Sequence, residues 1–213
     1  MQKHNSKIFI VNTGEGKPMA KTELKGNRKR TAAEKTIAKS GLNNLKSDFA
    51  KPVITQGYVC FHLISEPNRI LSNWYSSSFE LGGVKYSSAE QYFMHQKALT
   101  FGDLGTAKVL LSTNNPQKIK MYGRMVKNYN DKVWNGIRAV VLYEGLLAKF
   151  SQNEAARQFL LSTGDAVLCE CAKNDLIWGN GMDMNDPDRL DMSKWRGESL
   201  LGFILMKVRE KIK

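Results

Sequence analysis

Residues 79–101 read FELGGVKYSSAEQYFMHQKALTF and predict the centre of the fold. Two short β-forming runs flank Gly82-Gly83, which is the pattern of a hairpin closed by a two-residue turn. Ser87 and Ser88 follow, and each has a Glu or Gln three residues further on, the spacing of a capping box. The stretch therefore predicts a hairpin that leads directly into a helix over 88–101.

Helix and strand patterns continue on both sides of this stretch. Upstream, residues 58–64 are rich in strand-forming side chains. Downstream, the periodicity predicts helices near 103–112, from Pro116, over 131–150, over 154–162 and over 199–211, with a strand over 166–171 and an irregular segment over 173–196. Strands and helices do not alternate regularly, so the sequence predicts the α+β class, helix-rich and with a small, mainly antiparallel sheet.

Glu90 and Lys97 share one face of the first of these helices. At about 100° per residue, positions seven apart fall within about 20° of each other, and their neighbours on that arc are Phe93, Met94 and Phe101. Apolar surroundings raise the pKa of a carboxyl and lower the pKa of an amine, which makes the amine a better nucleophile. A catalytic pair is one interpretation; the other is that both side chains extend to solvent or form structural ion pairs.

Basic residues are concentrated in the N-terminal quarter. The chain of 213 residues has a net charge of +12, and residues 1–50 hold 11 Lys and Arg against 4 Asp and Glu. Such an arm can bind phosphate-rich partners through counterion release, or it can be a solvated tail. A change of composition near Pro52 divides the chain into a basic N-terminal extension, 1–52, and a globular domain, 53–213.

Cysteine use and hydropathy bound the compartment. Three cysteines are too few for a disulfide framework, so we expect a reducing, cytoplasmic location. Cys169 and Cys171 are two apart in a predicted strand, which is not the usual spacing of a zinc pair; we expect small core residues, no metal and no cofactor. No run of about 18 apolar residues occurs, so no membrane-spanning helix is expected.

Eight short blocks between residues 61 and 210 add a further signal. They read, in order, LSNWY from Leu71, VKYSSAEQY from Val84, QKA from Gln96, GR from Gly123, LAKFSQN from Leu147, TGD from Thr163, IWGNG from Ile177 and WRG from Trp195. In this order they resemble the YbiA-like, or NADAR, N-glycosidase family. Residues 1–50 lie outside the resemblance.

The resemblance implies a compact α+β domain that cleaves an N-glycosidic bond on a ribose carrying phosphate. Members are reported to act on early riboflavin-pathway intermediates, the phosphoribosylamino-pyrimidines, or to remove ADP-ribose from guanine. The family's glutamate corresponds to Glu90, its lysine to Lys97, its loop acid to Asp175 and its tryptophan to Trp178. The resemblance thus implies a hydrolase acting on N-glycosyl bonds, with Glu90, Lys97 and Asp175 as catalytic residues.

Cleavage of a ribosyl N–C bond passes through an oxocarbenium-like state, and these residues allow two routes. In one, Glu90 stabilises the charge, activates water or protonates the leaving nitrogen, with Asp175 as a second carboxylate. In the other, Lys97 attacks the anomeric carbon and forms an imine while Glu90 moves the protons. The apolar neighbours of Lys97 favour the lysine route.

Phosphate and base need binding groups as well. The candidate cations are Arg69, Arg124 and Lys127, since a guanidinium binds phosphate in a bidentate fork; each can equally be a surface charge. The other substrate-binding residues are taken from the blocks: Asn73, Trp74, Trp178 and Gly179. An indole can stack on a base, although core packing is its commoner role.

Two positions depart from the family pattern and bear on substrate choice: Leu176 stands where a basic residue is common, and Ser199 where an asparagine is common. A second function stays open at this point. The chain could be a nucleic-acid-associated binding module whose basic arm holds phosphates without turnover. The expected partners are therefore a phosphorylated ribosyl small molecule or an ADP-ribosylated nucleic acid, with no membrane.

Overall fold

The computed structural model describes residues 51–213. The predicted basic extension, 1–52, lies outside the described residues except for its last two positions. The strands are β1 (Tyr58–Phe61), β2 (Phe79–Leu81), β3 (Val84–Tyr86) and β4 (Val167–Glu170). The helices are α1 (Ala89–Thr100), α2 (Leu104–Leu111), α3 (Pro116–Arg124), α4 (Asp131–Gln152), α5 (Glu154–Ser162) and α6 (Leu200–Ile212). None of the described helices has the length and apolar character needed to cross a membrane.

The strands form two small sheets, and the predicted α+β class is confirmed. Strands β2 and β3 form an antiparallel hairpin whose turn residues, Gly82 and Gly83, both have positive φ, as the two-glycine turn predicts. Strands β1 and β4 pair in parallel, with Cys60 opposite Cys169. This parallel pair joins segments more than 100 residues apart, and sequence periodicity does not reveal it.

Helix α1 begins where the serine pair predicts. The Ser88 hydroxyl accepts a hydrogen bond from the Gln91 N–H at 3.2 Å, and the Gln91 side chain accepts one from the Ser87 N–H at 2.7 Å. The Glu90 N–H donates to the Asn73 carbonyl at 3.0 Å. Because serine and glutamine cap the helix, the Glu90 carboxylate is not used for capping.

The core lies between α1, α4, α6 and the parallel strands. Its fully buried members include Phe61, Leu146, Phe150, Leu168 and Leu205. Each such side chain contributes about 1.5–3 kcal/mol relative to exposure. The core thereby fixes α1 against α4 and β4 against α6, which sets the positions of Glu90 on α1 and Glu170 on β4.

The loop between β4 and α6 is tied to the start of α6. The first N–H groups of a helix have no partner within the helix. Here the Leu200 N–H donates to the Ile177 carbonyl at 3.0 Å, and the Leu201 N–H donates to the Trp178 carbonyl at 3.2 Å. The irregular segment predicted over 173–196 is thus an ordered loop, with short 3₁₀ turns at Pro187–Leu190 and Met192–Lys194.

Candidate active site

Glu90 is a carboxylate in the first turn of α1 that is almost completely buried, with 6% of its surface exposed. Burial raises the pKa of its carboxyl to about 7. Lys120 opposes this rise, Asp175 adds to it, and Arg124 opposes it more weakly. A carboxyl with a pKa raised toward neutrality suits a group that exchanges protons.

Two further acids lie beside Glu90. Glu170 is the last residue of β4, and desolvation raises the pKa of its carboxyl to about 8, with Asp175 and Glu90 raising it further and Lys120 lowering it. Carboxyl groups that repel one another in this way hold protons at pH values where isolated ones would be ionised.

Asp175 has one oxygen committed to its own loop. Its Oδ1 accepts hydrogen bonds from the N–H groups of Ile177 at 3.1 Å and Trp178 at 2.8 Å. Gly179 follows in this loop and is buried; a Cβ placed there would lie 2.8 Å from the Asp175 carbonyl oxygen and 2.9 Å from the Ala172 Cβ. Gly179 is therefore required by close packing, and it keeps Asp175 in position.

A cleft of about 350 Å³ is formed largely by α3. Its lining residues are Trp74, Gln117, Lys120, Met121, Arg124 and Met125. Lys120 and Arg124 are four residues apart on one helix face. They line the cleft while their charges act on Glu90, so they connect the cleft with the acids. The volume is within the usual range for small-molecule pockets, about 300–1,000 Å³.

Asn73 and Trp74 reach the site from the loop before β2. The Lys120 ammonium lies 5.5 Å from the centre of the Trp74 ring, and Trp74 is half-buried and lines the cleft. Asn73 is 9% exposed, and its buried side-chain Oδ1 has no hydrogen-bond partner in the part of the chain that the structure describes. An unpaired buried acceptor costs free energy, which a ligand that donates a hydrogen bond would recover.

The Lys97 ammonium has partners other than the three acids. It donates to the Gly123 carbonyl at 2.9 Å and lies 4.1 Å from the centre of the Tyr129 ring. Desolvation lowers the pKa of this amine, and Asp131 opposes the change. The charges that act on Glu90 do not include Lys97, because two helical turns separate the side chains along α1.

The other predicted binding residues occupy different surroundings. Trp178 is half-buried, and its ring packs edge-on to Phe93 at 5.1 Å between centroids, as part of the core. Arg69 opens a short 3₁₀ turn and is half-buried, while Lys127 is exposed and donates its backbone N–H to Asp103 at 2.9 Å. Neither Arg69 nor Lys127 lines the cleft.

Glu170 and Lys120 are the residues that our sequence reasoning missed. Glu170 lies between Cys169 and Cys171 in the chain. The side of the sheet on which its side chain lies could be predicted only once the pairing of β4 with β1 was known. Lys120 had a readable signal, since it precedes the predicted cation Arg124 by one helical turn.

These features define a class of protein: a helix-rich α+β domain with buried carboxylates beside a cationic, tryptophan-lined cleft. A model of the NADAR domain matches residues 60–213, and the chain belongs to the NADAR domain family.

Similar proteins agree with this family. The N-glycosidase R617 of Acanthamoeba polyphaga mimivirus is 38% identical over 164 residues, which are 73% of this chain and 96% of that protein. The NMR structure of the Escherichia coli protein YbiA matches with a TM-score of 0.62 at 26% identity, covering 76% of this chain and 89% of that one. The riboflavin biosynthesis protein VVA0006 of Vibrio vulnificus (strain YJ016) is 29% identical over 154 residues, 72% of this chain but 38% of that protein. The predicted family is confirmed, and the name N-glycosidase agrees with the predicted class, hydrolases acting on N-glycosyl bonds.

Proposed function

We propose that this protein hydrolyses the N-glycosidic bond of a phosphorylated ribosyl compound, either a phosphoribosylamino-pyrimidine of the riboflavin pathway or ADP-ribosylated guanine. The observation that carries the proposal is the buried Glu90, whose carboxyl interacts with two further acids and with Lys120 and Arg124, the two cations that line the cleft. N-glycosidase relatives support the bond type, and the relative named a riboflavin biosynthesis protein supports the first substrate class.

The acids can divide the work of hydrolysis. In the proposed reaction the C1′–N bond breaks, and protonated Glu170 gives its proton to the leaving nitrogen. Ionised Glu90 stabilises the oxocarbenium-like sugar and takes a proton from the water whose oxygen bonds to C1′. Solvent then returns one proton from Glu90 to Glu170. Asp175 holds the loop in place and keeps both pKa values high through its charge.

The cleft supplies binding groups of suitable chemistry. Lys120 and Arg124 offer positive charge and N–H donors to a phosphate. The half-buried Trp74, which lines the cleft, offers an indole ring on which a base can stack. The unpaired acceptor of Asn73 offers a partner to a ribose hydroxyl or a base N–H. A phosphorylated ribosyl compound carries all of these complementary groups.

Lys97 has a separate proposed role as the nucleophile of the imine route. This role requires its amine to leave the Gly123 carbonyl and reach C1′ of the substrate. Its lowered pKa favours the neutral, nucleophilic form. The carboxylate route needs no such movement and is therefore the route on which the account rests.

Incubation of the full chain with each candidate substrate, with mass detection of the products, tests the function. Ribose 5-phosphate or free ADP-ribose is the expected product. Borohydride added during turnover distinguishes the routes: a protein mass increased by the reduced sugar adduct, absent in Lys97→Ala, is expected only for an imine. Salt-dependent binding of nucleic acid with no product from either substrate would contradict the proposal and favour a binding module.

A further inference from the structure

Three cysteines meet on one face of the parallel pair β1–β4. Cys60 lies opposite Cys169 in the register, and their sulfurs are 3.4 Å apart although 109 residues separate them in sequence. Cys171 follows two residues after Cys169 and points to the same side of the extended chain. The sulfurs of Cys60, Cys169 and Cys171 all lie within 4.8 Å of one another. All three thiols are free.

We propose that Cys60, Cys169 and Cys171 form a three-thiolate binding site for a soft, thiophilic metal cation of the Cu⁺ or Zn²⁺ class. Metal–sulfur bonds to such ions are about 2.3 Å long, so three sulfurs around one ion stand about 4 Å apart. The observed separations already approach this arrangement without movement of the strands. Thiolates select soft cations over Mg²⁺ or Ca²⁺.

Polar groups near the three sulfurs could orient thiolate ligands and balance their charge. The Asn180 side-chain amide donates to the Cys171 sulfur at 3.7 Å. The Arg189 guanidinium acts on the Cys60 thiol through its positive charge, and its buried Nε has no hydrogen-bond partner among residues 51–213. A positive guanidinium offsets part of the negative charge of three thiolates, and outer-shell donors orient thiolate ligands.

The number of protein ligands that each ion requires distinguishes Cu⁺ from Zn²⁺ at this site. In the described chain no fourth Cys, His, Asp or Glu ligand atom lies within 4.8 Å of all three sulfurs. Three thiolates satisfy Cu⁺, whereas a closed zinc site has four protein ligands and three leave one position open. The site is distinct from the candidate active site, because Glu170 lies between Cys169 and Cys171 in the chain and its side chain points to the opposite face.

Metal titration of the reduced full chain under anaerobic conditions tests the proposal. Zn²⁺ and Cu⁺ are titrated separately against chromophoric chelators. Because the chain contains only three cysteines, the triple variant Cys60→Ala, Cys169→Ala, Cys171→Ala is a matched thiol-free control. The expected result is one ion per chain, with proton release, and affinity lost in the control. Each single Cys→Ala variant should lose more than the roughly 10–100-fold typical of outer-shell changes.

Equal affinity of the wild type and the triple variant for both ions would overturn the site. If the triple variant does not fold, the rate of maleimide labelling of the wild type provides a second test. One equivalent of metal should then protect all three thiols, and unchanged labelling would also overturn the proposal. Binding of Cu⁺ alone would identify a closed three-coordinate site, whereas binding of Zn²⁺ would identify a site with an open position.

Discussion

Glu90 lies at the start of a helix and Glu170 at the end of a strand, and their carboxyl groups interact. Each is a carboxyl that its surroundings keep protonated above its ordinary range, with pKa values of about 7 and about 8. In such a pair, the group with the lower pKa can act as the base and the group with the higher pKa can act as the proton donor. Interacting acids titrate as a pair, so the two values describe the site as a whole.

The pair predicts a bell-shaped dependence of kcat/KM on pH. Activity should rise as the first proton leaves the pair near pH 7 and fall as the second leaves near pH 8. In Glu170→Gln the alkaline limb should disappear together with most of the rate, since no acid remains for the leaving nitrogen. A wild-type rate that is constant from pH 6 to pH 9 would contradict this division of roles.

At the scale of elements, two close contacts hold the site together. One is the packing of α6 on β4: a Cβ on Gly202 would lie 2.8 Å from the Leu168 carbonyl carbon and 3.1 Å from the Cys169 Cα. The other is Lys149 of α4, a fully buried amine that donates to the carbonyls of Ile70 at 2.8 Å and Ser72 at 3.1 Å. Lys149 thereby fixes the loop that presents Asn73 to Glu90.

Gly202→Ala should destabilise the protein because the atoms that its Cβ meets are backbone and cannot turn away. We expect a loss of about 1–3 kcal/mol in the free energy of unfolding, measured by urea denaturation. Gly136→Ala, in α4, is the matched control, because nothing lies within 4 Å of the added Cβ. It should stabilise by up to about 1 kcal/mol through helix propensity. Equal effects of the two substitutions would contradict the packing argument.

Lys149 predicts a pH dependence of stability. Burial lowers the pKa of its amine to about 7, whereas in the unfolded chain it stays near 10.5. Between these values the unfolded state binds more protons, so stability attributed to Lys149 rises with pH and is lowest below pH 7. Relative to Lys149→Met, the wild type should gain roughly 2 kcal/mol between pH 7 and pH 9.

Urea denaturation at the two pH values measures this difference, in which the contributions of the buried acids cancel. Lys132→Met, at an exposed position of α4, is the control and should show no such change with pH. A difference between the wild type and Lys149→Met that is independent of pH would show that the Lys149 amine is not desolvated.

Signals that act within one element predicted the fold well. The serine pair predicted the start of α1, where the Ser88 side chain accepts a hydrogen bond from an N–H three residues on, and Pro116 predicted the start of α3. Pairings across the chain were not readable. The opposition of Cys60 and Cys169 depends on tertiary packing, and with it the face of Glu170 and the meeting of the three thiols.

At the scale of the whole molecule, the site joins parts of the chain that fold as separate elements. The helix α1 supplies Glu90, the end of β4 supplies Glu170, and the loop after it supplies Asp175. Helix α3 supplies both cations of the cleft. The sequence placed Glu90 and Lys97 on one helix face and left their burial open; in the structure Glu90 is buried, and the Lys97 ammonium donates to the Gly123 carbonyl of α3. Angle alone does not bring side chains together when two helical turns separate them.

The proposed hydrolysis depends on the carboxylate of Glu90, and a comparison of two Glu→Gln variants tests this dependence most directly. Glu90→Gln keeps the size of the buried side chain and removes its ability to ionise, while Glu154→Gln makes the same change at an exposed position of α5. With the substrate that the wild type turns over, kcat of Glu90→Gln should fall by about 10²–10⁴-fold while Glu154→Gln keeps the wild-type value. Both variants should unfold cooperatively. A folded Glu90→Gln protein with a wild-type kcat would contradict the central claim.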